Sequence, residues 1–182
     1  VNPNNKINSP LAAVEPPLWA GLIASYHNAD ILDAEGLDLS LDLTEACIRE
    51  SSQKDVLIVV MGNNPSVSST PKMPVAEELL KHFPAKLTGL HPIAMKCPNT
   101  IVYPFQGYPS VPWDLLPTDR YRAHNWHCLD NLDRRSSYAV FYTSLNCPFK
   151  CNYCNIHALY GERKIGFRPL KDIYKEMNKL AW

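Results

Sequence analysis

Apolar positions along the chain switch between helical spacing and short continuous runs. Pro16-Pro17 opens a helical pattern in which Leu18, Leu22, Ile23 and Tyr26 recur. Proline suits the first turn of a helix, whose N–H groups have no intrahelical partner. Asp30-Ile31-Leu32-Asp33 predicts a short strand, and residues 40–53 predict a second amphipathic helix with Leu43, Ala46, Cys47 and Glu50 in its register. Asp55-Val56-Leu57-Ile58-Val59-Val60-Met61 is the clearest strand of the first half. It is apolar at consecutive positions, as expected of a strand covered on both faces of a parallel sheet. Gly62-Asn63-Asn64-Pro65-Ser66 ends it, and the loop is expected to run on through Ser68-Ser69-Thr70-Pro71. Val75, Leu79, Leu80 and Phe83 then mark a third helix, and Lys86-Leu87-Thr88 a short strand. In the second half, Tyr138-Ala139-Val140-Phe141-Tyr142-Thr143-Ser144-Leu145 predicts a buried strand. Pro169 starts a last helix, with Ile173, Met177 and Leu180 along one face and Tyr174 beside them.

Strands alternating with helices imply βαβ units and a right-handed, mostly parallel sheet. Residues 1–95 therefore read as an α/β domain with a doubly wound, Rossmann-like parallel sheet. Ligands of such folds bind outside the carboxyl ends of the strands. Those ends fall at residues 2–4, 33–36, 62–66 and 89–91, so Gly62, Asn63, Ser66, Gly89 and His91 are candidate binding residues. The same small polar residues also form ordinary turns, and that reading stands beside the first.

Composition narrows the function classes. At 182 residues, 46% hydrophobic and 20% charged, the chain suits one good core or one domain and part of another. Lys+Arg and Asp+Glu are both 18, giving a formal net charge of zero. No nucleic-acid partner is expected, because no basic run offers phosphate neutralisation. No membrane span is expected, because no stretch approaches roughly 18 apolar residues. The first residues, Val1-Asn2-Pro3-Asn4-Asn5-Lys6, show no basic segment followed by an apolar one. Six cysteines without such a leader point to a reducing, cytoplasmic setting. Val1-Asn2-Pro3 reads as a strand end and Lys179-Leu180-Ala181-Trp182 as part of a helix, so the chain is expected to begin and stop inside elements.

The most specific chemistry lies in Cys147-Pro148-Phe149-Lys150-Cys151-Asn152-Tyr153-Cys154, a CxxxCxxC spacing directly after the predicted strand. Three thiolates this close can wrap one soft metal centre, and clustered cysteines on one loop are the usual signature of iron–sulfur clusters. Three ligands on a four-iron cluster leave one iron open for reaction. Structural zinc is the competing reading, with His157, Cys128 or Cys97 as fourth ligand. Disulfides are a third, although three clustered thiols cannot pair off among themselves.

The CxxxC spacing, followed by an aromatic residue before the last cysteine, resembles the radical S-adenosylmethionine (SAM) superfamily. By that resemblance Cys147, Cys151 and Cys154 hold a [4Fe–4S] cluster, and Tyr153 lies near the adenine of SAM. Four upstream segments resemble the cobalamin-binding class of that superfamily: Pro16-Pro17-Leu18-Trp19-Ala20-Gly21-Leu22, Asp33-Ala34-Glu35-Gly36, Thr88-Gly89-Leu90-His91-Pro92 and Trp113-Asp114-Leu115-Leu116-Pro117. The resemblance covers most of the chain. It implies a cobalamin-binding domain over 1–95, an inter-domain linker over 96–137, and the first strand–helix unit of a partial (β/α) barrel over 138–182. It also implies radical enzyme chemistry with methyl transfer or rearrangement on a small-molecule or peptide substrate, and an electron donor such as flavodoxin or ferredoxin.

Two departures accompany the resemblance. The DxHxxG motif that supplies an axial histidine to cobalt in the methionine-synthase type is absent, leaving His91 and His27 as possible contacts. A fifth strand is not evident, since residues 92–117 hold six prolines and little periodicity; Asn99-Thr100-Ile101-Val102-Tyr103 is the remnant candidate. In the linker, Tyr121-Arg122-Ala123-His124-Asn125-Trp126-His127-Cys128 reads either as packed inter-domain structure or as lining between cofactor and cluster, with Cys128 a further metal ligand. Cys47 and Cys97 read as incidental.

Overall fold

The computed structural model describes residues 1–7, 9–52, 55–61, 65–89, 110–154 and 164–181, without the side chains of 65–70. It is an α/β structure. β1 (Leu57–Val59) and β2 (Lys86–Thr88) pair in parallel, Leu57 opposite Lys86 and Val59 opposite Thr88. Parallel neighbours require a crossover, here α3 (Pro65–His82). On the other edge of β1, Val59 N–H donates to Val1 O at 2.9 Å. Asn2 in turn bridges Asp33 in parallel: Asn2 N–H donates to Leu32 O and Ala34 N–H to Asn2 O. Backbone bonds thus run from residues 32–34 through 1–2 and β1 to β2. The strand expected at residues 30–33 is reduced to that one bridge.

Side-chain alternation along β1 sorts the core onto two faces. Ile58 and Val60 pack with Ile48 of α2 (Leu41–Glu50) and with Met73, Val75, Ala76 and Leu79 of α3. Val59 and Met61 pack with Leu18, Trp19, Leu22 and Ile23 of α1 (Leu18–His27), and with Val111, Trp113, Leu116 and Tyr121. Coverage on both faces is why the β1 run is apolar at every position.

Helix registers differ from the expected ones for local reasons. α1 starts where Pro16-Pro17 predicts, but Tyr26 is exposed, because it falls in the last turn beside the left-handed Asn28 cap. In α2 the buried pair is Thr44 and Ile48, while Leu43 and Cys47 face out. Ser40 caps this helix by accepting from Leu43 N–H at 3.2 Å, and the Thr44 hydroxyl donates to Ser40 O at 2.8 Å. Satisfied within the helix, that hydroxyl can be buried. α3 reaches back over the expected loop to Pro65 and carries Pro71 and Pro74 inside it. Each proline forgoes one ladder donor; burial of Met73, Val75, Ala76 and Leu79 offsets the loss.

The segment after residue 110 is built from short 3₁₀ turns, Trp113–Leu115, Thr118–Arg120, Asn125–His127 and Leu132–Arg134. Val14 and Arg122 exchange both backbone bonds at 2.9 Å. Buried Arg135 donates to the carbonyls of Ala123, Pro10, Leu11 and Ala12. The run 138–145 corrects the expected buried strand: only β3 (Ser144–Leu145) is strand, and it pairs antiparallel with β4 (Gly166–Phe167). A strand buried on both faces needs covering layers that this two-residue pair does not have, and 138–145 is half-buried or exposed throughout. α4 (Leu170–Leu180) follows Pro169 as expected. Among the described residues no helix is long and apolar enough to cross a membrane.

Candidate functional site

The cysteine loop leaves β3 through Asn146, which sits in the left-handed region at φ 67° and accepts Cys147 N–H on its own Oδ1 at 2.8 Å. That turn throws the loop outward. Cys147 is half-buried, and Cys151 and Cys154 are exposed. Cys154 N–H donates to Cys151 O at 3.2 Å, closing a tight turn around Tyr153, whose side chain is 91% exposed. All three thiols are free. In kind they suit a soft metal centre, being uncommitted sulfurs on one short loop. In position they do not converge: among the described residues no three His, Cys, Asp or Glu side chains gather closely enough to hold a metal ion. A cluster bound here would have to gather them.

The other expected ligands do not join this loop. Cys128 is half-buried and its thiol faces Arg134 O at 4.0 Å. His124 stacks on Trp126 at 4.0 Å between ring centroids, pairs with Glu15 at 2.8 Å, and meets His127 edge-on. These aromatic residues therefore pack chiefly on one another. Cys97, His157, Gly62, Asn63 and His91 lie outside the described residues, and Ser66 is in α3 with its side chain outside them.

The stem of the loop is held from below. Arg168 N–H donates to Thr143 O at 3.0 Å and its Nη1 to Tyr142 O at 2.8 Å. The same Nη1 pairs with Glu176 of α4 at 2.6 Å. Sequence periodicity missed Glu176 and favoured Met177; in the fold Met177 is 47% exposed and Glu176 is 1% exposed.

At the carboxyl edge of the sheet, the expected polar residues are spent on one another. Asn2 Nδ2 donates to Asp33 Oδ1 at 2.6 Å, and Tyr121 donates its hydroxyl to Asp33 Oδ2 at 2.6 Å. Lys72 donates to Asn2 Oδ1 at 2.5 Å and pairs with Glu35 at 2.5 Å; Asn5 donates to the other Glu35 oxygen. Burial pushes the Glu35 carboxyl above its ordinary range, outweighing the pull of the Lys72 ammonium. Burial, then the neighbouring Asp33 charge, raises the Tyr121 phenol further still, so it stays a donor. Gly89 closes β2 at φ +150°, where a Cβ would stand 2.6 Å from Val60 Cγ2. Gly89 is thus required by the backbone, whatever else it contacts. Beside the network, Asn4, Asn5, Glu35 and Arg122, together with the apolar Val14 and Leu41, line an open cavity of about 990 Å³. Lys72 carries no sequence signal as a site residue, and Tyr121 stands out only as part of the 121–128 segment and not as a partner of Asp33, since their partners lie 70 and 88 positions away.

No protein-family model, no curated protein and no solved structure matches this chain.

Proposed function

We propose that this chain carries the cobalamin-side α/β domain and the cluster loop of a cobalamin-dependent radical SAM enzyme of the cytoplasm. The observation that carries the proposal is the set of three free thiols, Cys147, Cys151 and Cys154, on one outward loop at CxxxCxxC spacing. The parallel sheet with helices on both faces supports a doubly wound, Rossmann-like domain ahead of it. In this reading the three cysteines hold a [4Fe–4S] cluster and the exposed Tyr153 lies near the adenine of SAM. Gly62, Asn63, Ser66, Gly89 and His91 line the cobalamin edge. When bound, the cluster supplies the electron that cleaves SAM, and cobalamin supplies a transferable methyl group. The protein's part is to gather the thiols, orient SAM and exclude water. The substrate is a small molecule or peptide, and a flavodoxin or ferredoxin delivers the electron.

The test is anaerobic reconstitution of residues 1–182, with iron and sulfide counted and EPR recorded on the reduced sample with and without SAM. Expected are about four irons per chain, a spectrum that changes with SAM, and loss of both in Cys151→Ala. One zinc without sulfide would sink the proposal and leave a structural metal site in an α/β domain.

A further inference from the structure

We infer that Glu176 is a positioning residue for the cysteine loop: its carboxylate ties the stem of that loop to the core of the α/β domain. The inference rests on the proposed cluster role of the loop. A buried carboxylate is costly unless it is paired and hydrogen-bonded. Glu176 is both. Oε1 accepts from the Trp113 indole N–H at 2.7 Å and from Val111 N–H at 3.2 Å, and the Arg168 guanidinium stands 2.6 Å from Oε2. Trp113 and Val111 belong to the core cluster that includes α1, Val59 of β1 and Met61 just beyond it. Arg168, on the other side, holds the carbonyls of Tyr142 and Thr143, five and four positions ahead of Cys147. Tyr138, Val140, Tyr142 and Leu145 also pack against that core cluster; Glu176 adds to this apolar contact a buried, directional polar tie between the two regions. A leucine at this place would bury as much apolar surface and address none of these donors.

The stem needs such a tie. β3 and β4 are two residues each, and a lone two-stranded pair is marginal in water. The parallel contact between Lys179 and Asp114 is an exposed ion pair, of the kind that contributes little. Without Glu176 the stem would keep only its partly buried apolar contacts to the core, which fix position less sharply than buried hydrogen bonds, and a cluster bound there would lose its fixed place.

Two readouts test this. Hydrogen exchange on the metal-free chain compares wild type with Glu176→Gln and with Trp113→Phe, which removes one donor and keeps most of the ring packing. Expected is exchange over residues 138–145 and 166–169 accelerated at least about tenfold in Glu176→Gln, less in Trp113→Phe, with β1 and β2 unchanged. Unchanged stem exchange overturns the inference. So does equal acceleration everywhere, which marks a global stability role. After reconstitution, Glu176→Gln is expected to keep its iron count while its SAM-induced EPR change broadens or disappears; an unaltered change also overturns the inference. If wild type takes up no cluster, the radical SAM reading fails by itself, and the exchange data on the metal-free chain still decide whether Glu176 fixes the stem.

Discussion

The carboxyl edge of the sheet and the cysteine loop are opposites in construction. At the edge, Asn2, Asp33, Glu35, Lys72 and Tyr121 come from distant parts of the chain, are all buried, and engage one another's polar atoms. In the loop, eight consecutive residues carry three thiols and the exposed rings of Phe149 and Tyr153, and the thiols make no bond to each other. Burial makes the first region a structural clamp, since removing any member leaves a buried polar group unanswered. Exposure leaves the second uncommitted, since its sulfurs are free and open to solvent. Polar residues at the end of a parallel sheet therefore do not by themselves mark a binding site; what counts is whether the fold has already used them.

The sharpest way to break that contrast is Lys72→Met, which keeps roughly the volume and removes the cation. Glu35 would be left buried with no counter-charge, a loss of about 3–5 kcal/mol for breaking such a pair. Urea unfolding should show a lower midpoint at unchanged slope. Lys72→Met combined with Glu35→Gln should recover most of the loss. A Lys72→Met chain as stable as wild type would show that the edge is not a clamp.

Local patterns are readable in the sequence, and nonlocal ones are not. Pro16-Pro17 announces α1, the apolar run ending at Met61 announces β1, and Lys86-Leu87-Thr88 announces β2, because each depends on neighbours in sequence. The cysteine motif is readable for the same reason. Buried charge is not: Glu176 looks like a surface residue until Trp113, 63 positions away, is placed beside it. Likewise the run 138–145 is apolar enough for a buried strand, yet among the described residues only Gly166–Phe167 pairs with it. Apolar composition states a capacity for burial; the partners decide whether it is realised.

A smaller effect sharpens the same contrast through pH. The folded-state pKa of Glu35 is raised by burial above its ordinary value of 4.5. Below that value both folded and unfolded chains hold the proton, and the group's stabilising contribution is fully present. As pH rises from there through the raised folded value, the folded chain holds a proton the unfolded chain has lost. The contribution is therefore progressively lost, at about 1.4 kcal/mol for each pH unit between the unfolded and folded values. Denaturant midpoints across that window should fall more steeply for wild type than for Glu35→Gln. Parallel profiles would mean that Lys72 keeps the carboxylate ionised throughout.

The smallest expected effect on stability belongs to Cys151→Ala. Cys151 is exposed, its sulfur is free, and its carbonyl, which accepts from Cys154 N–H, survives the substitution. Exposed substitutions away from caps, turns of special geometry and buried networks usually change stability by no more than about 0.5 kcal/mol. The metal-free variant should therefore unfold with the wild-type midpoint, while iron uptake on reconstitution falls to background. That pairing separates a ligand from a structural residue, because a thiol that packs the fold would lose both together. A drop above about 1 kcal/mol in the metal-free chain would mean the loop contributes to the fold through its cysteines. The boundary between spent and available side chains would then run through the loop itself.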